Sequence, residues 1–393
     1  MIQNIKKQAG LSLLEILVAL TLGLLVLAGV SQVFVASNIS SQTQESLALL
    51  QENGRFVVER LKPIGRLANR FTACVNDFEF DRNSPGFDSQ TVVYHLDDTS
   101  SGYLDEIHNL GQFVVGWNFN GTDVGDTYTL GSLVAGGGST SSWADIDGNP
   151  LPADIASRAI AGSDVLVLKA TQPRADITVC ETNAATYQQV DNEIAVCDKE
   201  GDDPEPVGFS EGQMVLVTDC TRVDVFQHSA DADSFVLDRS PGGTLQPGNK
   251  AGTWSTHYAS LLSPTMSIYS LYQLVYFVRP NAAGEPSLYE WNTAIGPIDD
   301  ARELIEGVEN FQILLGEYNA NREVVFLEPD QVTDISRVKG IRLSVLLRQE
   351  GPDALQDTAT YELNGTTIDP QDDSRIRQVY TTTIGVRNNG ELL

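Results

Sequence analysis

One stretch of this chain limits everything else. LSLLEILVALTLGLLVLAGV, residues 11–30, is the only run apolar and long enough to span a bilayer, and it contains an acid. Glu15 stands near its start, behind Lys6, Lys7 and Gly10. A carboxylate in hydrocarbon costs roughly 2.5–3.5 kcal/mol on insertion scales, and acids kept there usually carry function. Something must neutralise Glu15, and the nearest source of positive charge is a new amino terminus made by cutting after Gly10. Two plainer readings compete. An ordinary secretory signal also has a basic start and an apolar core, but this run is too long for a typical one. A plain signal anchor is the other. A charge in the core handicaps both with no compensating gain.

Beyond residue 30 the helical pattern turns amphipathic. Leu47, Leu50, Gly54, Val57 and Leu61 recur at alternating spacings of three and four, which places them on one stripe. Pro63 is expected to end or kink the helix. A helix over residues 11–62 is a rod of roughly 75–80 Å. The pattern then changes to strands rich in Val, Leu, Ile, Tyr and Phe at 91–95, 113–117, 164–169, 214–218, 223–228, 271–278, 311–315, 340–347 and 377–386. Asn120-Gly121 and Asn364-Gly365 are hairpin-turn signals. The stretch DARELIEG, residues 300–307, reads as a helical turn. The fold class that follows is α+β. A leader (1–10) precedes a long helix (11–62), of which 11–30 is transmembrane and 31–62 amphipathic. The helix packs on a large antiparallel β-rich part (63–393), expected as two sheets.

Composition narrows the partners. With 25 basic and 53 acidic residues the net charge is −28, a surface that repels nucleic acid phosphates and anionic lipid. The four cysteines, Cys74, Cys180, Cys197 and Cys220, all follow the apolar run, and in an exported chain an even number favours two disulfides. Three connectivities exist. Cys180–Cys197, closing a short polar loop, with Cys74–Cys220 is the preferred one.

The start, KKQAG followed by LSLLE, resembles the class III signal of type IV prepilins. Further blocks resemble the PilW family of minor pilins: QENGRF (51–56), GSDVLVL (162–168), EGQMVLVTDCTRVDVFQ (211–227), LYQLVYFVRP followed by GEPSLYEW (271–291), LIEGVENFQILLG (304–316), VKGIRLSVLLR (338–348) and VYTTTIGVRN (379–388). They run in the family's order. Residues 76–157 match nothing in it, and Leu11 replaces the Phe of many prepilins.

The resemblance implies that a prepilin peptidase cuts between Gly10 and Leu11 and N-methylates Leu11. It also implies that Glu15 pairs with the Leu11 amine of a neighbouring subunit in the filament. The chain would be a structural minor pilin, anchored in the inner membrane with its carboxy-terminal part periplasmic, then carried to the pilus tip. Its partners would be other minor pilins, the major pilin and a large tip adhesin, in support of adhesion, twitching motility or DNA uptake. A J-like pseudopilin of type II secretion and a membrane-anchored periplasmic enzyme or adhesin are the alternatives.

No catalytic constellation, cofactor or metal is expected from the residues. His95, His108, His228 and His257 have no motif partners, and GGGSTSS (136–142) lacks the strand–turn–helix setting of a hydrolase serine. Asp145, Asp147 and Asn149 resemble the start of a calcium loop without its distal glutamate, and read as a solvated turn.

Overall fold

The computed structural model describes residues 13–67, 92–97, 112, 114–131, 133–180, 192–200, 203–242, 245, 248–256, 258, 266–293, 296–349 and 359–386. Helix α1 spans Leu13–Leu67, 55 residues, or roughly 80 Å at 1.5 Å per residue. It runs through Pro63, beyond the end expected at residue 62. Proline removes one helical hydrogen bond, but the turn after it is held by packing. Gly65 is buried, and a Cβ there would meet the Ile384 side chain at 3.0 Å. Tertiary contact outweighs the local breaker.

The strands are β1 (Val92–Tyr94), β2 (Val114–Phe119), β3 (Thr127–Thr129), β4 (Trp143–Ala144), β5 (Val165–Pro173), β6 (Ile177–Val179) and β7 (Glu193–Asp198). They continue as β8 (Met214–Thr218), β9 (Val223–Gln227), β10 (Val236–Asp238), β11 (Ser267–Pro280), β12 (Pro286–Asn292) and β13 (Arg302–Glu306). The last six are β14 (Val308–Tyr318), β15 (Val324–Leu327), β16 (Val338–Gln349), β17 (Tyr361–Leu363), β18 (Thr366–Asp369) and β19 (Ile376–Gly385).

Among the described residues these form four sheets, not two. A nine-stranded sheet follows the order β1-β9-β8-β11-β5-β2-β4, with β12 and β13 branching from β11, and a four-stranded sheet follows β15-β14-β16-β19. Two three-stranded sheets, β10-β7-β6 and β17-β18-β3, complete the set. Pairing is antiparallel except for β1 with β9 and β18 with β3. The small sheets consist mostly of strands of three residues, too short to register as period-two patterns. Residues 302–306 are strand β13, where a helical turn was expected, because an eight-residue helix has little stability of its own and the backbone pairs with β12 instead. Asn364 and Gly365 both take positive φ (55° and 103°), the type I′ hairpin that an Asn-Gly pair favours.

The main core lies between the nine-stranded sheet and a second layer made of α1 with the four-stranded sheet. Leu50, Val57 and Leu61 of the helix share it with Leu166, Leu216, Leu271, Phe311, Ile341 and Val345. The opposite face of the large sheet buries a second cluster around Trp117, Trp143, Phe277 and Trp291. Cys180 and Cys197 form a disulfide with a Cα–Cα distance of 4.9 Å. Cys220 is also disulfide-bonded, and Cys74, its expected partner, lies outside the described residues.

Candidate assembly helix and its seat

The two halves of α1 have opposite environments. From Leu13 to Val35 the large apolar side chains are exposed all round, Leu13 at 82% and Phe34 at 67%. Among the described residues this is the one helix long and apolar enough to cross a membrane, with a mean hydropathy of 2.6 in its most apolar window. Glu15 lies within this exposed apolar half. Gly10 and Leu11, the expected processing residues, lie outside the described residues.

The second half is seated on β19 and β16. The buried stripe is Ser46, Leu50, Gly54, Val57, Leu61 and Gly65. It includes four of the five positions expected from spacing, but Leu47 is 36% exposed and Ser46, one residue earlier, is 8% exposed. A helix drifts relative to a strict 3.5-residue pattern, so the seam shifts by one position at its far end.

Gly54 is required by close approach. A Cβ there would lie 2.3–2.4 Å from three ring atoms of Tyr380 on β19. Alanine is the better helix former by about 1 kcal/mol, yet displacing a packed ring costs about 1–3 kcal/mol. Gly54→Ala is therefore expected to lower the thermal midpoint of the detergent-solubilised chain. Gly23→Ala, at a position with nothing within 4 Å, is expected to leave it unchanged.

A charged contact fixes the helix laterally. Arg60 Nη2 donates to both oxygens of Glu290 on β12, at 2.7 and 2.9 Å. Arg302 Nη2 donates to Glu290 Oε1 at 2.8 Å and the Tyr276 hydroxyl donates to Oε2 at 2.8 Å. One buried carboxylate thus ties the helix to β11, β12 and β13. Tyr276 is a fully buried residue of β11, within the strand expected at 271–278. Glu290 and Arg60 escape a sequence reading, because each looks like an ordinary polar residue until the helix is laid across the strand.

Of the four histidines, His95 and His228 lie among the described residues. His95 Nε2 lies 2.6 Å from Asp224 Oδ1, and burial holds the imidazole below its ordinary pKa although that hydrogen bond opposes the shift. The neutral ring then donates to the carboxylate. Ser255 and Tyr258 also donate to Asp224, so the serine contacts the acid and not the histidine, unlike a nucleophile held by its base. His228 is buried, and His108 and His257 lie outside the described residues. The turn at Asp145 is not solvated as expected. The Asp145 side chain is fully buried and accepts from the Asp147 and Asn149 amides at 3.0 and 2.7 Å, and burial raises its pKa.

A long helix, bare and apolar at its start and seated on a β-rich head at its end, is the plan of a pilin-like subunit. Residues 5–31 match the prokaryotic N-terminal methylation motif, and residues 275–388 match the family described as type IV pilus-assembly protein W. Over these two segments the chain is similar to type IV pilus components, consistent with a pilin-like role. The second match covers Glu290 and the whole four-stranded sheet, so the matched segments are the start of the helix and the surface on which it rests. Comparison with curated proteins and with solved structures finds no match.

Proposed function

We propose that this chain is a structural minor pilin that helps prime type IV pilus assembly and takes its place in the tip complex, where it supports adhesion, twitching motility or DNA uptake. The observation that carries this reading is the bare helical half that contains Glu15, most of it inside the segment, residues 5–31, that matches the methylation motif. An exposed apolar rod of this size must be covered by lipid or by other helices. In this reading a prepilin peptidase removes residues 1–10, Leu11 becomes the methylated amino terminus, and the amine stays cationic. The helix, with its transmembrane part at 11–30, holds the chain in the inner membrane with the β-rich head in the periplasm.

On assembly Glu15 meets the Leu11 ammonium of a neighbouring subunit, and both charges lose solvent together. The partners are other minor pilins, the major pilin and a tip adhesin. Cys74 pairs with Cys220 in the head. Mass spectrometry of the mature chain tests the reading: the expected amino-terminal peptide begins with N-methyl-Leu11. Recovery of Lys6 and Lys7 on the mature protein would overturn it.

A further inference from the structure

The four-stranded sheet ends on one side in a strand that no other strand covers among the described residues. β15 bonds to β14 alone. At the neck of the hairpin, Asn319 N donates to Glu323 O at 3.0 Å. Bonded pairs alternate along an antiparallel ladder, so Glu317–Val325 and Leu315–Leu327 are the pairs that bond inward. Val324 and Phe326 therefore turn their amides and carbonyls outward. β15 carries no charge in its four residues, and Val324 and Val325 are 43% and 40% exposed. Sheet edges are usually blunted by Lys, Pro or a bulge, because unpaired backbone recruits another strand. β15 has none of the three.

Positive charge gathers around this edge in a chain whose net charge is −28. Arg322 sits in the hairpin tip with a φ of 61°, a left-handed conformation that glycine adopts more cheaply. Arg342 of β16 holds its guanidinium 3.8 Å from the centroid of the Phe326 ring. That ring reaches back over Gly316, where a Cβ would meet it at 3.0 Å. Arg337 Nη2 donates to the carbonyl of Tyr318, the residue opposite Val324. None of these three arginines has a carboxylate at ion-pairing distance among the described residues. The nearby acids turn elsewhere: Glu323 accepts from Asn319 Nδ2 at 3.1 Å, and Asp334 from Ser336 Oγ at 2.6 Å.

We propose that β15 takes up an extended acidic segment of a partner polypeptide as a fifth strand of this sheet. The added backbone bonds to Val324 and Phe326. Side chains alternate between faces, so acids on the Phe326 face meet Arg342, with Arg322 at the end of the strand. Apolar side chains on the opposite face cover Val325. At about 0.15 M salt, charge beyond about 8 Å is screened, so these arginines outweigh the chain's overall negative charge at the edge. A second copy fits worse, because pairing β15 with β15 brings two sets of unneutralised arginines together. An unstructured polyanion would satisfy the arginines and leave the edge bare. The surface belongs to the head and serves the chain whether or not its helix enters a filament.

The test uses the full chain in detergent and a fluorescein-labelled octapeptide of alternating Glu and Val, read by anisotropy. Saturable binding is expected, with slowed hydrogen exchange in β15. Methylating every amide of the peptide keeps its charge and removes its donors, and binding should fall at least about tenfold. An oligonucleotide of equal charge should bind at least about tenfold more weakly than the peptide. Val324→Pro removes an outward donor and no bond to β14, so it should melt like wild type and lose at least about tenfold in binding. Arg322→Gly relieves the left-handed backbone and should melt no lower than wild type. Combined with Arg342→Gln it should weaken binding about fivefold or more. No saturable binding, equal binding of the methylated peptide or of the oligonucleotide, or wild-type binding by Val324→Pro or by the arginine double variant would each overturn the proposal. So would a dimer of the free chain that Val324→Pro dissociates, or a Val324→Pro chain that melts well below wild type, since its amide would then be bonded inward.

Discussion

Glu15→Ala is expected to leave the chain in the membrane fraction and out of the filament. Alanine removes the cost of holding a carboxylate in hydrocarbon, so membrane residence should be unchanged or improved. Assembly is different, because the Leu11 ammonium of one subunit would then be buried among apolar helices with nothing to meet it. Removing one partner of a buried ion pair costs about 3–5 kcal/mol, and each 1.4 kcal/mol is a factor of ten. Incorporation should fall by on the order of a hundredfold or more. Immunoblots of sheared filaments against membranes from the same cells measure the ratio. Wild-type recovery of Glu15→Ala in the filament fraction would refute the pairing. Glu15→Asp separates charge from reach: it keeps the carboxylate but shortens it, and intermediate incorporation is the expected result.

Much of the helix is legible in the sequence because its information is local. A continuous apolar run, an embedded acid and a seam spaced by three and four need no knowledge of the rest of the chain. All nine expected strands coincide with observed ones, since long runs rich in Val, Leu and Tyr cannot be solvated economically. What escapes is non-local. Tyr380 faces Gly54 across more than three hundred residues of chain, and nothing in VYTTTIG announces a ring resting on a helix. Glu290 sits among apolar neighbours in LYEW and would pass for a solvent-facing position if Arg60 were not across from it. Short strands such as β3, β4, β17 and β18 offer too few residues for any period to show.

Glu309→Gln is expected to be the most destabilising single change in the head that leaves side-chain volume intact. Glu309 lies in β14 where its register against β16 slips between Val308 and Asn310, so it is the extra residue of a bulge that aims its side chain across the sheet. There it meets two arginines that stand directly opposite each other on neighbouring strands, Arg348 of β16 and Arg377 of β19. Like charges so placed repel. Glu309 resolves the conflict, accepting from Arg377 Nε at 2.6 Å, from Arg377 Nη2 at 3.1 Å and from Arg348 Nη1 at 2.8 Å. The Glu309 and Arg377 side chains are 2% and 1% exposed, so water cannot substitute. Asp373 and Glu285 still hold the outer faces of the two guanidinium groups, which keeps the cost near the lower end of the usual range, about 3 kcal/mol. For a domain of this size that is a drop in thermal midpoint on the order of 10 °C. Asp299→Asn, which breaks the solvent-exposed Arg158–Asp299 pair, should cost under about 1 kcal/mol. Because β19 carries the seat of the helix, the loss should also loosen α1, and hydrogen exchange at Val57 and Leu61 should rise with it. The decisive arm is the double variant Glu309→Gln/Arg377→Gln. Removing one of the opposed cations should recover part of the stability lost, and a double variant that melts at the sum of the two single losses would show that charge conflict across the sheet is not the cause.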